Sequence, residues 1–92
     1  ATLALGNIGD CQVEMEDYDA AKSAFDKAIS GASSSLAEAV LAPMYLYKAA
    51  LVEIELGNNA AAKSHLDRIV SNYPKSQQKN GAASLAASIA SN

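Results

Sequence analysis

The sequence predicts an all-α protein, and three observations carry that prediction. Twenty alanines supply much of its 50% hydrophobic fraction, and alanine is the best helix former but a poor core filler. Apolar residues recur at helical spacing along most of the chain. β-Branched and aromatic residues are too few and too scattered for a sheet protein. At 92 residues the chain holds one domain at most, with a modest core.

The elements follow in order. Leu3, Leu5, Ile8, Cys11 and Met15 are spaced like one side of a helix, which predicts a first helix over about 2–15 with that side buried. Only Thr2 precedes it as a capping residue, and the chain starts without Met inside a helical pattern. A piece excised from a longer protein is the expectation. Glu16-Asp17 forms a short turn, and Asp17 is the N-cap of a second helix over about 18–30. Its buried stripe is Tyr18, Ala21, Phe25, Ala28 and Ile29, and Gly31 stops it. Residues 31–35 read as a loop.

Ser35 and Glu38 fit a capping box that opens a third helix, about 36–56. Pro43 interrupts it, because proline removes a hydrogen bond and clashes with the preceding turn. One helix kinked at Pro43 is expected; the alternative is a helix starting at 43. Gly57-Asn58-Asn59 separates it from a fourth helix, about 60–72, that buries Ala62, Leu66, Ile69 and Val70. Asn72-Tyr73-Pro74 breaks that helix. A fifth, about 76–90, has a narrow stripe of Ala82, Leu85, Ala86 and Ile89 and a polar back. Gly81 inside it costs about 1 kcal/mol against alanine. Such a one-sided helix suits the end of a stack.

Two segments of the chain align without gaps at an offset of 41 residues. Leu5, Ile8, Gly9 and Gln12 fall on Leu46, Ala49, Ala50 and Glu53. Glu16-Asp17-Tyr18 falls on Gly57-Asn58-Asn59. Ala21 and Phe25 fall on Ala62 and Leu66, and Ser33 falls on Pro74. Small residues at 9, 50, 21 and 62 let paired helices approach closely, and Leu5, Ile8, Phe25, Leu46 and Leu66 fill the space beside them. Glu53 is expected to snorkel to the surface.

This pattern resembles the tetratricopeptide repeat, W-x2-L-G-x2-Y, then A-x3-F, then P. Ile8-Gly9, Asp17-Tyr18, Ala21 and Phe25 fit it in the first copy; Gly57, Ala62 and Pro74 fit it in the second. Leu5, Gln12 and Ser33 depart from it in the first, and Ala50 and the missing aromatics in the second. The resemblance implies an α-solenoid of antiparallel helix pairs. Its parts would be a repeat at about 2–33, a second at about 36–74 and a capping helix at about 76–90. The standard repeat is about 34 residues, so seven extra residues are placed in 31–42, lengthening the third helix. Ile-Gly-Asp-Cys at 8–11 and Asn-Tyr-Pro-Lys-Ser at 72–76 are similar to bacterial multi-repeat proteins of this superfamily, periplasmic or envelope-associated ones included.

Charge excludes several functions. The net charge is −3, with seven acids and two lysines in residues 1–38 and three acids and five bases after them. Phosphate-backbone binding needs clustered Lys and Arg, so nucleic acid is not the expected partner. No apolar run is long enough to cross a bilayer, and no signal peptide is present, so membrane contact by these residues is not expected. The single cysteine leaves the compartment open, cytoplasmic or periplasmic.

Catalytic and metal readings fail on residue type. Asp10, Glu14, Glu16, Asp17 and Asp19 crowd ten residues but lack the loop of a calcium site. Cys11 has no nearby base to stabilise a thiolate and reads as a buried small hydrophobe. His65 stands alone at the solvent edge of the fourth helix. Ser76-x2-Lys79 has no companion motif. No cofactor, metal or enzymatic activity is expected.

The resemblance implies instead a protein or peptide bound along the exposed side of the first-type helices. By that analogy the positions are Leu3, Gly6, Asn7, Asp10, Val13 and Glu14, then Met44, Tyr47, Lys48, Leu51, Ile54 and Glu55. Met44, Tyr47, Leu51 and Ile54 form an apolar stripe, which the fifth helix or a neighbouring repeat would otherwise cover. Asn7 and Lys48 suit a carboxylate clamp, but Asp10 and Glu14 would repel the carboxylate. The alternative function is structural: a stacking or self-association segment with apolar ends.

Overall fold

The computed structural model describes the backbone of residues 2–32 and 41–90 and the side chains of 6–31 and 41–89. Among them are five helices and no strand: α1 Thr2–Glu14, α2 Tyr18–Ala32, α3 Ala42–Glu55, α4 Asn59–Asn72 and α5 Lys79–Ala90. Each helix packs mainly on its neighbour in sequence, α1 on α2, α2 on α3, α3 on α4 and α4 on α5. Such nearest-neighbour packing is that of a solenoid, where each unit is stabilised by the next. One core runs through it, from Phe25 and Ala28 of α2 through Leu46, Ala49 and Val52 of α3 and Leu66 and Ile69 of α4 to Ala82 and Ala86 of α5.

The two hairpin turns repeat at the 41-residue offset. After α3, the Gly57 amide donates to the Ile54 carbonyl and the Asn58 amide to the Glu53 carbonyl, with Gly57 at φ +82°. After α1, the Glu16 amide donates to Val13 and the Asp17 amide to Gln12, with Glu16 at φ +59°. Both are Schellman closures, in which a left-handed residue turns two amides back onto orphan carbonyls. Glycine fills that place without steric cost; glutamate does not. Asp17 then caps α2, its Oδ1 accepting from the Ala20 amide at 3.4 Å.

Several expectations need correction. Gly31 does not stop α2, which continues through Ala32. Helix α3 begins at Ala42 with Leu41 in a turn, so Pro43 sits in its first turn rather than at a kink. Proline is tolerated there because first-turn amides have no intrahelical acceptor. The helix is thus not lengthened by the extra residues; the Ser35–Glu38 capping box and Ser33 lie outside the described residues. Helix α5 starts at Lys79 after turns at Tyr73–Ser76 and Ser76–Lys79, which puts Gly81 in its first turn.

The largest correction concerns α1. Ile8, Cys11 and Met15 do not face the core: Ile8 is 49% and Met15 69% exposed, and Cys11 is exposed. The buried side carries Gly6 and Gly9, which were expected on different faces. A Cβ on Gly9 would lie 2.7 Å from the Phe25 ring, and one on Gly6 would run into the Tyr45 ring. The glycines let the α1 backbone lie directly on two aromatic rings. Burying those rings outweighs burying Ile8, because aromatic side chains remove the most apolar area from water. Phe25 and Tyr45 stack with centroids 6.2 Å apart.

Glu53 does not reach the surface either; it is 2% exposed. Lys22 of α2 stands 3.7 Å from its Oε1, and the Asn58 side-chain amide donates to the same oxygen at 3.5 Å. Its partners explain the burial, since a charge leaves water only where it is met.

Candidate functional site

Helices α1 and α3 both pack on α2, and a cleft opens between them. At its upper part Lys48 of α3 donates to both carboxylate oxygens of Asp10 of α1, each at 2.8 Å. The same ammonium lies 5.9 Å from the centre of the Tyr45 ring. These contacts tie the two first-type helices together. Burial raises the Tyr45 hydroxyl above its ordinary 10, opposed by Lys48 and assisted by Asp10.

Beyond that bridge lies a cavity of about 310 Å³, lined by Asp10, Val13, Tyr18, Phe25, Lys48, Leu51, Val52, Ile54 and Glu55. Its walls are mostly apolar, and its size is at the small end for ligand cavities, suited to one bulky side chain. Leu51 projects from α3 with 44% of its surface exposed. Tyr18 opens α2 at the cavity mouth. Burial, then the charges of Glu55 and Glu16, raise its hydroxyl above the ordinary range.

The residues expected along the groove divide. Asp10, Lys48, Leu51 and Ile54, with Val13 and Glu55, come together at this cavity. Asn7 and Glu14 are exposed on α1 and do not line it. Tyr47 turns towards α5, where a Cβ on Gly81 would lie 3.6 Å from its ring. Met44 lines a different cavity, about 680 Å³, between the start of α3 and the α4–α5 connection. Leu41, Pro43, Tyr73 and Pro74 complete its apolar wall. The Leu3 side chain is outside the described set. The apolar stripe of α3 is therefore two half-stripes serving two neighbours.

Sequence reasoning missed Tyr18, Phe25 and Val52 as cavity walls. The first two belong to the second helix of the hairpin and were read only as core. For Phe25 the signal was Gly9, whose missing side chain lets the α1 backbone lie directly on the ring; no comparable signal pointed to Tyr18. Among the described residues no three His, Cys, Asp or Glu side chains gather as a metal site, and no helix is long and apolar enough to cross a membrane.

Two family models described as tetratricopeptide repeat match the chain, one over residues 3–30 and one over 45–76. They cover the α1–α2 hairpin and the α3–α4 hairpin, together nearly two thirds of the sequence. No curated protein matches it. No solved structure matches it. Both hairpins carry the glycine or alanine notches and the closing turn of the repeat, and the chain belongs to the tetratricopeptide repeat family.

Proposed function

We propose that the chain is a non-catalytic interaction module that seats a segment of a partner protein in the α1–α3 cleft. Tetratricopeptide repeats generally mediate protein–protein interaction or scaffolding and are typically not catalytic. The observation that carries the finer reading is the cavity itself: apolar walls from three helices, with Leu51 held out towards solvent. An exposed leucine at the lip of an apolar cavity costs hydration without giving stability, so a partner's side chain is its natural cover. Leu51→Glu, which leaves the core untouched, should abolish peptide-induced chemical shift changes at Ile54 and Val13 while the circular dichroism stays unchanged. Undiminished shift changes in that variant count against the cleft.

A second, structural reading is favoured by the outer side of α1. Ile8, Cys11 and Met15 are exposed, whereas their equivalents Ala49 and Val52 are buried and Leu56 is half-buried. The Gln12 Oε1 is buried with no hydrogen-bond partner, whereas its equivalent Glu53 is met by Lys22. The occupant this predicts is a second-type helix of another repeat, with a cation at the place of Lys22, a place Lys63 also fills at the 41-residue offset. Alkylation of Cys11 reports on it directly. A peptide with the sequence of α4, held helical by a side-chain link, should slow that alkylation; an unchanged rate sinks this reading.

A further inference from the structure

The electrostatics of the cleft mouth deepen the binding proposal and rest on it. We propose that the cleft takes a cationic segment: one bulky apolar side chain in the cavity, with Lys or Arg beside it reaching Glu55 and Glu16.

Three observations support this. First, Lys48, the one cation among the described lining residues, is engaged. Lys48 holds both oxygens of Asp10, so the pair presents little net charge. Glu55, at the cavity wall, has no ion-pair partner among the described residues, and neither have Glu14 and Glu16.

Second, these three carboxylates stand where the fold disfavours them. Helix α3 ends at the cavity wall with Glu55, α1 ends one residue past the lining Val13, and a helix C-terminus carries partial negative charge. Neither last turn holds a basic residue. Instead Glu14 ends α1 and Glu55 ends α3, each the wrong sign for the dipole. Glu16 occupies the left-handed place that glycine fills in the second hairpin. Asp17 and Asp19 differ, because the start of α2 accounts for both.

Third, the field of these acids reaches the cavity. Glu55 and Glu16 both act on the Tyr18 hydroxyl at its mouth. A cation arriving beside an apolar anchor relieves the repulsion of Glu55 and Glu16 together. An acidic segment adds to it. The preferred partner is therefore opposite in sign to the carboxylate tail that a Lys- and Asn-lined clamp would hold.

The test uses two labelled peptides with the same central leucine, one flanked by lysines and the other by glutamates, and a phenylalanine pair built alike. Each is titrated into the whole chain, followed by anisotropy and by amide chemical shifts. The lysine-flanked peptides should bind about tenfold or more tighter and lose affinity as salt rises. Glu55→Gln should shrink that preference, and Glu55→Lys should reverse it. Glu55 is exposed, so both variants keep the fold. If both members of a pair bind equally and Leu51→Glu weakens both, the cleft stands and the charge inference falls. If the glutamate-flanked peptides bind better, the charge inference also falls. If no peptide shifts Leu51 or Ile54, both readings fall.

Discussion

Helices α1 and α3 hold the same place in two copies of one hairpin, yet they meet the core differently. α3 is buried along one broad side, through Ala42, Tyr45, Leu46, Ala49, Ala50, Val52 and Glu53, and shows Leu51 and Glu55 on the other. α1 is buried through the backbone of Gly6 and Gly9 and shows Ile8 and Met15 to solvent. The difference follows from neighbours. α3 lies between α2 and α4; among the described residues α1 has α2 as its main partner. The same register position is core in one copy and surface in the other. The closing turns differ too, since Gly57 is free in its left-handed conformation and Glu16 is strained in the equivalent one.

The largest expected effect lies at the notch. Gly9→Val drives a branched side chain into Phe25 and should cost about 1–3 kcal/mol, more if α1 detaches. At the equivalent place the second copy already holds a Cβ, so Ala50→Gly should cost less, about 1 kcal/mol. Urea denaturation of both variants decides the matter. Equal losses, or tolerance of valine at 9, would break the contrast between the two copies.

The turns give the next effect, with opposite signs. Gly57→Ala forces a Cβ into a left-handed backbone that has open space around it, so its loss of about 1–2 kcal/mol is purely conformational. Glu16→Gly relieves the same strain and should gain roughly 1 kcal/mol, less what glycine adds to the unfolded chain's freedom. The cleft account adds a cost to that gain: the stabler Glu16→Gly variant should bind lysine-flanked peptides more weakly. A variant both stabler and unimpaired would show that Glu16 serves no partner.

The smallest effect is on pH dependence. Burial lowers the His65 imidazole below its ordinary 6.5; Asp26 of α2 and Glu53 of α3 oppose this, while Arg68 and Lys22 add to it. The folded chain therefore prefers the neutral ring. Its contribution is intact above about pH 6.5 and is lost as pH falls through the window below. His65→Gln should narrow the drop in Tm between about pH 7.5 and pH 5.5. An unchanged drop removes His65 from the acid response.

Most of the fold was legible in the sequence because it is local. Helical spacing, Asp17 as a cap and Gly57 as a stop need no knowledge of the neighbours. The orientation of α1 was not legible, since periodicity favours the larger apolar side chains. Ile8, Cys11 and Met15 outweigh two glycines on any hydropathy pattern, yet the glycines decide where backbone meets ring. The turn at 15–17 was legible, but its strain was not, since only the dihedral angle reveals it. For the cleft, α1 and α3 residues could be placed by repeat register. Tyr18 and Phe25 could not, because their place in the cavity wall depends on how close α1 lies to α2.

The account turns on which side of α1 touches the aromatic rings, and proton NMR reads that directly. Cross-relaxation from the α-protons of Gly6 to the Tyr45 ring and of Gly9 to the Phe25 ring is expected, with both glycine signals moved upfield by the rings. Contacts from the Ile8 methyl groups to Phe25 or Tyr45, with none from the glycines, would mean that α1 packs on its apolar side and that the cleft described above does not form.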